Sequence, residues 1–368
     1  MVPPVGHPHL SRPGPDPGAE AGPEPGPVVL NGRASARPRI TGVERWAAEL
    51  IPRLIALAPD RYTVLAPPRP ARGRELGQAW EQLLLPVQAA RRRASLIFSP
   101  ANLAPVLWPR NVVMVHDAAV LREPQAYSPA YRAWHRRFGL LCARRAVMVV
   151  TVSEFSRREL IELGGLEQDK LAVIRGGVDK RFGPHADYER VARRLNLNRP
   201  YALTVATDDR RKNLQVLRQA AQRLGRLGVD LVWAGDTRPY INHASSIAGI
   251  RALGYVDEAD LPGLYAGARA FVLPSRYEGL GLTCLEAMAC GTPVVAADRA
   301  ALPETCGSAA LLVDPDDAGV IAAAVVRAVG DSALRLRLRE AGLRRAAQYT
   351  WERAARDADA LLSGLAHA

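Results

Sequence analysis

Phe271-Val-Leu-Pro-Ser-Arg-Tyr-Glu278-Gly-Leu-Gly-Leu-Thr-Cys-Leu-Glu286-Ala-Met-Ala-Cys-Gly291-Thr-Pro-Val294 is the stretch on which the fold turns. A buried strand ends near Pro274, a loop carrying Gly279 and Gly281 follows, and a helix begins near Thr283 with Glu286 in its first turn. Glycines let backbone approach a ligand closely, and the exposed N–H groups of a helix start favour a phosphate. Glu278 and Glu286 would flank such an anion without coordinating it. From the loop Glu278 reaches a ligand's distal part, whereas Glu286 suits hydroxyls such as those of a ribose. The same residues also admit a plainer reading: an ordinary turn, then a first-turn acid favoured by the helix dipole.

The pattern repeats outward from this unit. Val294–Ala296 follows it as a strand, while Ala202–Ala206 and Leu231–Ala234 precede it, alternating with helical patterns over Lys212–Leu224, Glu258–Ala268 and Thr283–Ala289. An earlier set has strands Val28–Asn31, Tyr62–Leu65, Leu96–Ser99, Val112–His116, Val147–Val152 and Leu171–Ile174, with helices Gly42–Leu57, Ser128–Arg144 and Glu154–Leu163 between them. Strands apolar throughout, rather than alternating, predict parallel sheets covered on both faces. The fold class is therefore α/β, with two Rossmann-like, doubly wound domains of about 155 residues each facing across a cleft. The expected divisions are 28–183, 184–350 and a final helical segment 351–368. In such sheets ligands sit beyond the carboxyl ends of the strands, so chemistry is sought there. Residues 1–27, more than half proline and glycine, are expected to form a disordered arm.

Length and composition agree with this division. The chain has 368 residues, 48% of them hydrophobic, enough for two cores and too apolar for wholesale disorder. No uncharged apolar run approaches a membrane span and no secretory signal is evident, so a cytoplasmic protein is expected. Four cysteines (Cys142, Cys284, Cys290, Cys306) show neither metal-ligand spacing nor a disulfide framework and read as small buried hydrophobes. The net charge of +12 favours a polyanionic partner: nucleic acid, an anionic membrane face or a phosphorylated substrate. Only 6% of residues are aromatic, which removes the stacking platform of a single-strand binder, and no nucleic-acid partner is expected.

Glu278-x7-Glu286, preceded by Gly254-Tyr-Val-Asp257 and Leu261-Pro-Gly-Leu-Tyr265 and followed by Ala287-Met-Ala-Cys-Gly-Thr-Pro-Val294, resembles the retaining nucleotide-sugar glycosyltransferases of family 4, which have the two-domain GT-B fold. Leu30-Asn-Gly-Arg33, Thr41-Gly-Val-Glu-Arg-Trp46, Val115-His116-Asp117, Val152-Ser-Glu-Phe-Ser-Arg157, Arg175-Gly-Gly-Val-Asp179 and Asp209-Arg-Arg-Lys-Asn213 resemble the same family in the same order. The likeness points towards bacterial mannosyltransferases of surface-polysaccharide or lipid-linked glycan assembly. It implies that Glu278 lies beside the transferring sugar and Glu286 at the nucleotide ribose. Val256 and the segment Gly279, Leu280, Gly281, Leu282 and Thr283 are implied to meet the donor. By the same likeness Lys212 holds the diphosphate with Arg211 as companion, Gly42 belongs to a loop that closes over the donor, and His116 lies near the scissile bond. A histidine ending a strand is also often only a hydrogen-bonded structural group. The resemblance further implies a C-terminal helix, starting near Thr350-Trp351-Glu352, that crosses back onto the first domain.

Two departures stand out. Where many relatives carry a second diphosphate-binding arginine, this chain has Ala206-Thr207, and the N-domain loop reads Thr41-Gly42 instead of a double glycine. The implied reaction transfers a hexose, mannose favoured, from a nucleoside-diphosphate sugar, GDP-mannose favoured, to a glycan or lipid-linked acceptor, with retention of configuration. No metal or other cofactor is expected: Asp314-Pro-Asp316 and Asp357-Ala-Asp359 read as solvated surface acids. Peripheral contact with an anionic membrane would use part of the basic excess. The alternatives are a catalytically silent nucleotide-sugar or glycan binder, and a nicotinamide-dependent dehydrogenase, whose fingerprint Gly279-x-Gly281-x-x-Cys284 imitates poorly.

Overall fold

A computed structural model describes residues 26–35, 42–68, 74–235 and 248–368. The expected N-terminal arm lies almost wholly outside them, as does Thr41. In the first half, β1 (Val28–Asn31), β2 (Tyr62–Leu65), β3 (Leu96–Ser99), β4 (Asn111–Met114), β5 (Met148–Thr151) and β6 (Leu171–Val173) form a sheet in the order β2-β1-β3-β4-β5-β6, every pairing parallel. The second half repeats the plan. Its strands β7 (Tyr201–Val205), β8 (Asp230–Ala234), β9 (Arg251–Gly254), β10 (Ala270–Leu273), β11 (Val294–Ala297) and β12 (Ala310–Val313) run in the order β12-β11-β10-β7-β8-β9, again all parallel. Strands buried along their whole length, such as β3, β4, β10 and β11, explain the unbroken apolar runs.

The strand order fixes where chemistry can sit. After β7 the chain builds outward to β9, then returns to lay β10 on the other side of β7. The segments leaving β7 and β10 therefore splay apart at a topological switch point, opening a crevice at the carboxyl edge. Lys212 follows β7 and Glu278 follows β10.

Several elements differ from the sequence reading. The expected Lys212–Leu224 helix is two short 3₁₀ turns, Arg210–Lys212 and Leu214–Leu217, divided by Asn213 in the left-handed region (φ 54°), before an α-helix over Arg218–Arg226. The cause is side-chain bonding: the Asp209 carboxylate accepts from Arg211 N–H, and the Asn213 amide donates to the carbonyls of Pro274 and Pro315. The expected Ser128–Arg144 helix is interrupted by a π-helical stretch, His135–Gly139. β9 went unread because it is an edge strand whose residues are all partly exposed, so it carries no apolar run.

Besides clusters of their own, the two halves share a core. One hydrophobic cluster runs from Val28 and Trp46 through Tyr201 and Leu273 to Trp351 and Leu362. The final helix, Trp351–His367, is capped by the Thr350 hydroxyl, which accepts from Arg353 N–H, and it lies on the first half. Its Trp351 meets Trp46 edge-on with ring centroids 5.0 Å apart, and its Asp359 accepts from Arg61 and from the Tyr62 hydroxyl, each at 2.6 Å. Asp359 is thus an interdomain ion-pair partner, not the solvated acid expected, because helix crossing brings the start of β2 to it. Gly177 permits this crossing: a Cβ there would come within 2.0 Å of the Trp351 nitrogen.

Candidate active site

The loop after β10 is shaped by its two glycines. Gly281 stands before the Leu282–Ala289 helix at φ 84°, and a Cβ on it would strike Leu302 at 2.5 Å, so both conformation and space demand glycine. Gly279 faces the opposite half. Its Cβ would meet Asp117 at 2.8 Å and the His116 carbonyl at 3.0 Å, and its own carbonyl accepts from Ser153 Oγ at 2.6 Å and Ser156 Oγ at 3.2 Å. Beside it the Tyr277 hydroxyl accepts from Ala118 N–H at 3.1 Å. Further along the seam, the Glu304 carboxylate accepts from Glu154 N–H, Phe155 N–H and Arg175, capping the Glu154–Glu162 helix from across the cleft.

At one side of this loop, Lys212 Nζ and Glu278 Oε1 are 2.6 Å apart, both side chains largely buried. The switch point has brought together two groups 66 residues distant in sequence. Arg211 goes elsewhere. Its guanidinium forks onto Asp209 Oδ2 and lies 5.1 Å over the Tyr127 ring of the first half, so it is engaged in a structural contact rather than standing beside Lys212's ammonium at the carboxylate of Glu278. Thr207 is half-buried just beyond β7, and Val256 is buried just beyond β9.

Glu286 is the fifth residue of its helix, not a first-turn acid, so the helix-dipole reading of it falls away. It is 2% exposed, and a buried carboxylate requires partners. Tyr265 donates its hydroxyl to Oε2 at 3.0 Å, and Arg45, from the Gly42–Leu57 helix of the first half, donates Nη1 to Oε1. Arg45 also donates Nη2 to Glu258 Oε2 at 2.5 Å, and Arg181 donates to the same oxygen at 2.6 Å. Burial raises the pKa of Glu286, with Arg45 opposing the shift; burial disfavours the charge on Arg45, yet Glu286 and Glu258 outweigh it and hold the guanidinium above its ordinary range. Arg45, Glu258 and Arg181 were missed in the sequence. The signal for Arg45 was its place in Thr41-Gly-Val-Glu-Arg-Trp46, one turn into the helix.

His116, two residues beyond β4, is buried with Nε2 3.2 Å from the Pro100 carbonyl and its ring edge-on to Trp46 at 5.6 Å. Burial lowers its pKa, favouring the neutral ring, and since Pro100 offers only an acceptor, Nε2 carries the proton. Gly42 opens its helix, exposed, with open space where a Cβ would be. Asp316 pairs with Arg276 and Arg299 at the surface. Among the described residues no three His, Cys, Asp or Glu side chains gather into a metal-binding group, and the four cysteines are buried and free.

Two parallel α/β halves meeting across a seam make the two-domain GT-B fold. Sucrose-phosphate synthase from Thermosynechococcus elongatus superposes on 92% of this chain and 99% of its own with a TM-score of 0.73 at 22% identity; Anabaena HepE, solved with UDP-glucose, covers 92% and 100% with a TM-score of 0.70 at 18% identity. The sequence carries the assignment further. Residues 40–182 match the model described as Glycosyltransferase Family 4, and residues 199–331 match that of Glycosyl transferases group 1. O-antigen chain mannosyltransferase B of Escherichia coli is 36% identical over 257 residues, 66% of this chain and 67% of that protein. The serotype-specific mannosyltransferase WbdA of Escherichia coli is 27% identical over 271 residues, 68% of this chain but a third of WbdA's length. The chain belongs to glycosyltransferase family 4. That membership sets aside both the dehydrogenase and the silent binder.

Proposed function

We propose that the protein transfers mannose, with retention of configuration and without a metal ion, from GDP-mannose to a growing glycan or lipid-linked acceptor. The observation that carries this reading is the Lys212–Glu278 pair at the switch point, one loop away from the start of the Leu282–Ala289 helix. When the bond between anomeric carbon and diphosphate breaks, negative charge builds on the leaving phosphate. Lys212 and the N–H groups around Leu282 and Thr283 supply fixed positive features for that charge, which is the work a divalent ion would otherwise do. An incoming diphosphate competes with Glu278 for Lys212. Releasing Glu278 frees its carboxylate to accept from sugar hydroxyls.

Retention follows if the acceptor attacks on the face the diphosphate leaves, with a phosphate oxygen taking the acceptor's proton; Glu278 then orients the sugar and steadies positive charge at the anomeric carbon. Glu286, held by Tyr265 and Arg45, keeps lone pairs for a ribose diol. His116, kept neutral, is placed to hydrogen-bond near the transferring group without adding charge. The mannosyl donor is supported by the mannosyltransferase relatives. Thermal unfolding against GDP, UDP, ADP and dTDP tests this. Stabilisation by GDP alone, abolished in Lys212→Ala and Glu286→Ala, together with an α-linked product from GDP-mannose in the presence of a chelator, is the expected result; a shift with another diphosphate alone overturns the donor, and chelator-sensitive transfer overturns metal independence.

A further inference from the structure

Between β4 and β5 the chain coils through Pro129–Trp134, the π-helical turn His135–Gly139 and Leu140–Arg145. Only the last of these is anchored on the sheet: Cys142 and Ala143 are buried, Ala143 among Val113 of β4 and Val149 of β5. The two preceding segments bury no residue at all. The run leaves the end of β4 and returns to the start of β5, so its early turns lie towards the carboxyl edge of the sheet. At 1.5 Å per residue, Pro129–Trp134 stands about 15 Å beyond Ala143, while β4 ends at Met114, one residue past Val113. These turns therefore overhang the edge at which His116 and Asp117 meet Gly279 of the donor loop.

The overhang is aromatic although it has no core to fill. Tyr131, Trp134, His135 and Phe138 recur at i, i+3, i+4 and i+7, the spacing of one helix face, and Arg132, Arg136 and Arg137 fall on the others. The rings form a continuous stripe. Tyr131 stacks on Tyr127 with centroids 5.3 Å apart and planes 8° from parallel, the His135 ring lies 4.2 Å from that of Tyr131, and Trp134 stacks on Phe138 at 4.6 Å while remaining 40% exposed. One end of the stripe is fixed at the seam. Tyr127 packs with Tyr277, the residue before Glu278, and lies under the guanidinium of Arg211, the residue before Lys212. A π-helical turn has poor hydrogen-bond geometry and is kept mostly at functional sites.

We propose that this stripe binds a neutral oligosaccharide, the stem of an acceptor already several sugars long. A pyranose presents a face of C–H groups ringed by hydroxyls; an exposed aromatic face covers the C–H groups and leaves the hydroxyls in water or on polar ring atoms such as those of Tyr131, Trp134 and His135. Continuity decides the occupant. The stripe begins beside Glu278, so whatever lies along it is joined to the group that receives the transferred sugar, and with the arginines on the other faces that group's stem meets rings rather than charge. Tyr131 to Phe138 spans about 10 Å, room for roughly two sugars behind the reacting one. The inference rests on the transfer reaction proposed above and narrows its acceptor from any glycan or lipid carrier to a preformed chain.

Calorimetric titration of the full chain with α-mannotetraose, maltotetraose and cellotetraose, each against its monosaccharide, is the experiment, followed by steady-state transfer to the tetrasaccharide that binds. One tetrasaccharide should bind at least tenfold more tightly than its monosaccharide. Trp134→Ala and Tyr131→Ala/Phe138→Ala should each weaken it about tenfold and raise the acceptor KM rather than lower kcat, and Trp134→Phe, which keeps a ring face, should recover most of the loss. Unchanged thermal unfolding shows that the variants fold, and Trp134→Ala, which removes an exposed side chain, tests the idea even if the double variant does not. No tetrasaccharide binding, equal binding of the monosaccharide, or binding indifferent to the variants overturns it. So does an unchanged acceptor KM in variants that have instead lost sedimentation with lipid vesicles, which assigns the stripe to a bilayer. The titration needs no donor, so tetrasaccharide binding that depends on Trp134, without transfer from any nucleotide sugar, would support the stripe while the transfer reading failed.

Discussion

Glu278 and Glu286 stand eight residues apart on one loop and helix, each against a cation, and the two pairs are built differently. Glu278 meets Lys212 of its own half, the partner delivered by the order of strands in one sheet. Glu286 meets Arg45 of the other half, 241 residues away, and exists as a pair only while the halves are together. The first pair is therefore a property of a domain and the second a property of the seam. If the donor lies between them, its phosphates and sugar are read by groups that are always assembled, and its ribose by groups whose arrangement reports domain closure.

Removing the cation on each side breaks the comparison most sharply. Lys212→Ala should lower the transfer rate by about 10²–10³-fold, the usual cost of losing a preorganised charge in a reacting site, with the fold intact by thermal unfolding. A rate within tenfold of the parent would take Lys212 out of the charge-stabilising role. Arg45→Ala should act on stability instead, costing about 3 kcal/mol because Glu286 is left buried against Glu258 without its counter-charge; urea unfolding at neutral pH measures it. Restoring much of that loss with Arg45→Ala/Glu286→Gln would show that the charge, not the packing of the arginine, was at stake.

The seam itself can be pried open at Gly279. A methyl there meets Asp117 and the His116 carbonyl at contact distances below 3.1 Å, so Gly279→Ala should cost about 1–3 kcal/mol and loosen the approach of the two halves, visible as a larger radius of gyration in solution scattering. An unchanged radius would mean the loop yields instead. The smallest effect concerns pH. His116 is buried with its pKa lowered, so the unfolded chain takes up a proton that the folded one refuses; stability from this site is complete above the ordinary histidine range and is lost as pH falls below about 6.5. His116→Gln should flatten the decline in urea midpoint between pH 7.5 and 5.5, and an unaltered slope would assign it to other groups.

The same contrast governs what could be read from sequence. The strand-loop-helix unit at 271–294, the Gly42–Leu57 helix and strands β1 to β3 were legible because apolar runs and glycine punctuation are local signals. Lys212 and Glu278 were legible one at a time, through the family resemblance that set each at the donor; their contact came only with the sheet order. The cluster of Arg45 with Glu258 and Arg181 was not, since the motif that holds Arg45 does not say which residues of the other half will meet it. Asn213 escaped for a related reason: its left-handed turn is imposed by carbonyls of Pro274 and Pro315, brought there only by the finished fold. The aromatic residues between 131 and 138 could be counted in the sequence, but their exposure could not.

The final helix carries a consequence for how the chain is made. Trp46, early in the sequence, is covered by Trp351 and sits 5.6 Å from His116, and the start of β2 is tied by Asp359. During synthesis domains ordinarily settle in the order in which they emerge. Here the first half emerges without its lid, with a tryptophan uncovered beside its sheet, and waits for the Trp351–His367 helix before its own interior is closed. A helix translated after the whole second half is thus a structural part of the first half, and a ribosome that stalls before Thr350 leaves behind an unfinished first half as well as a shortened second one.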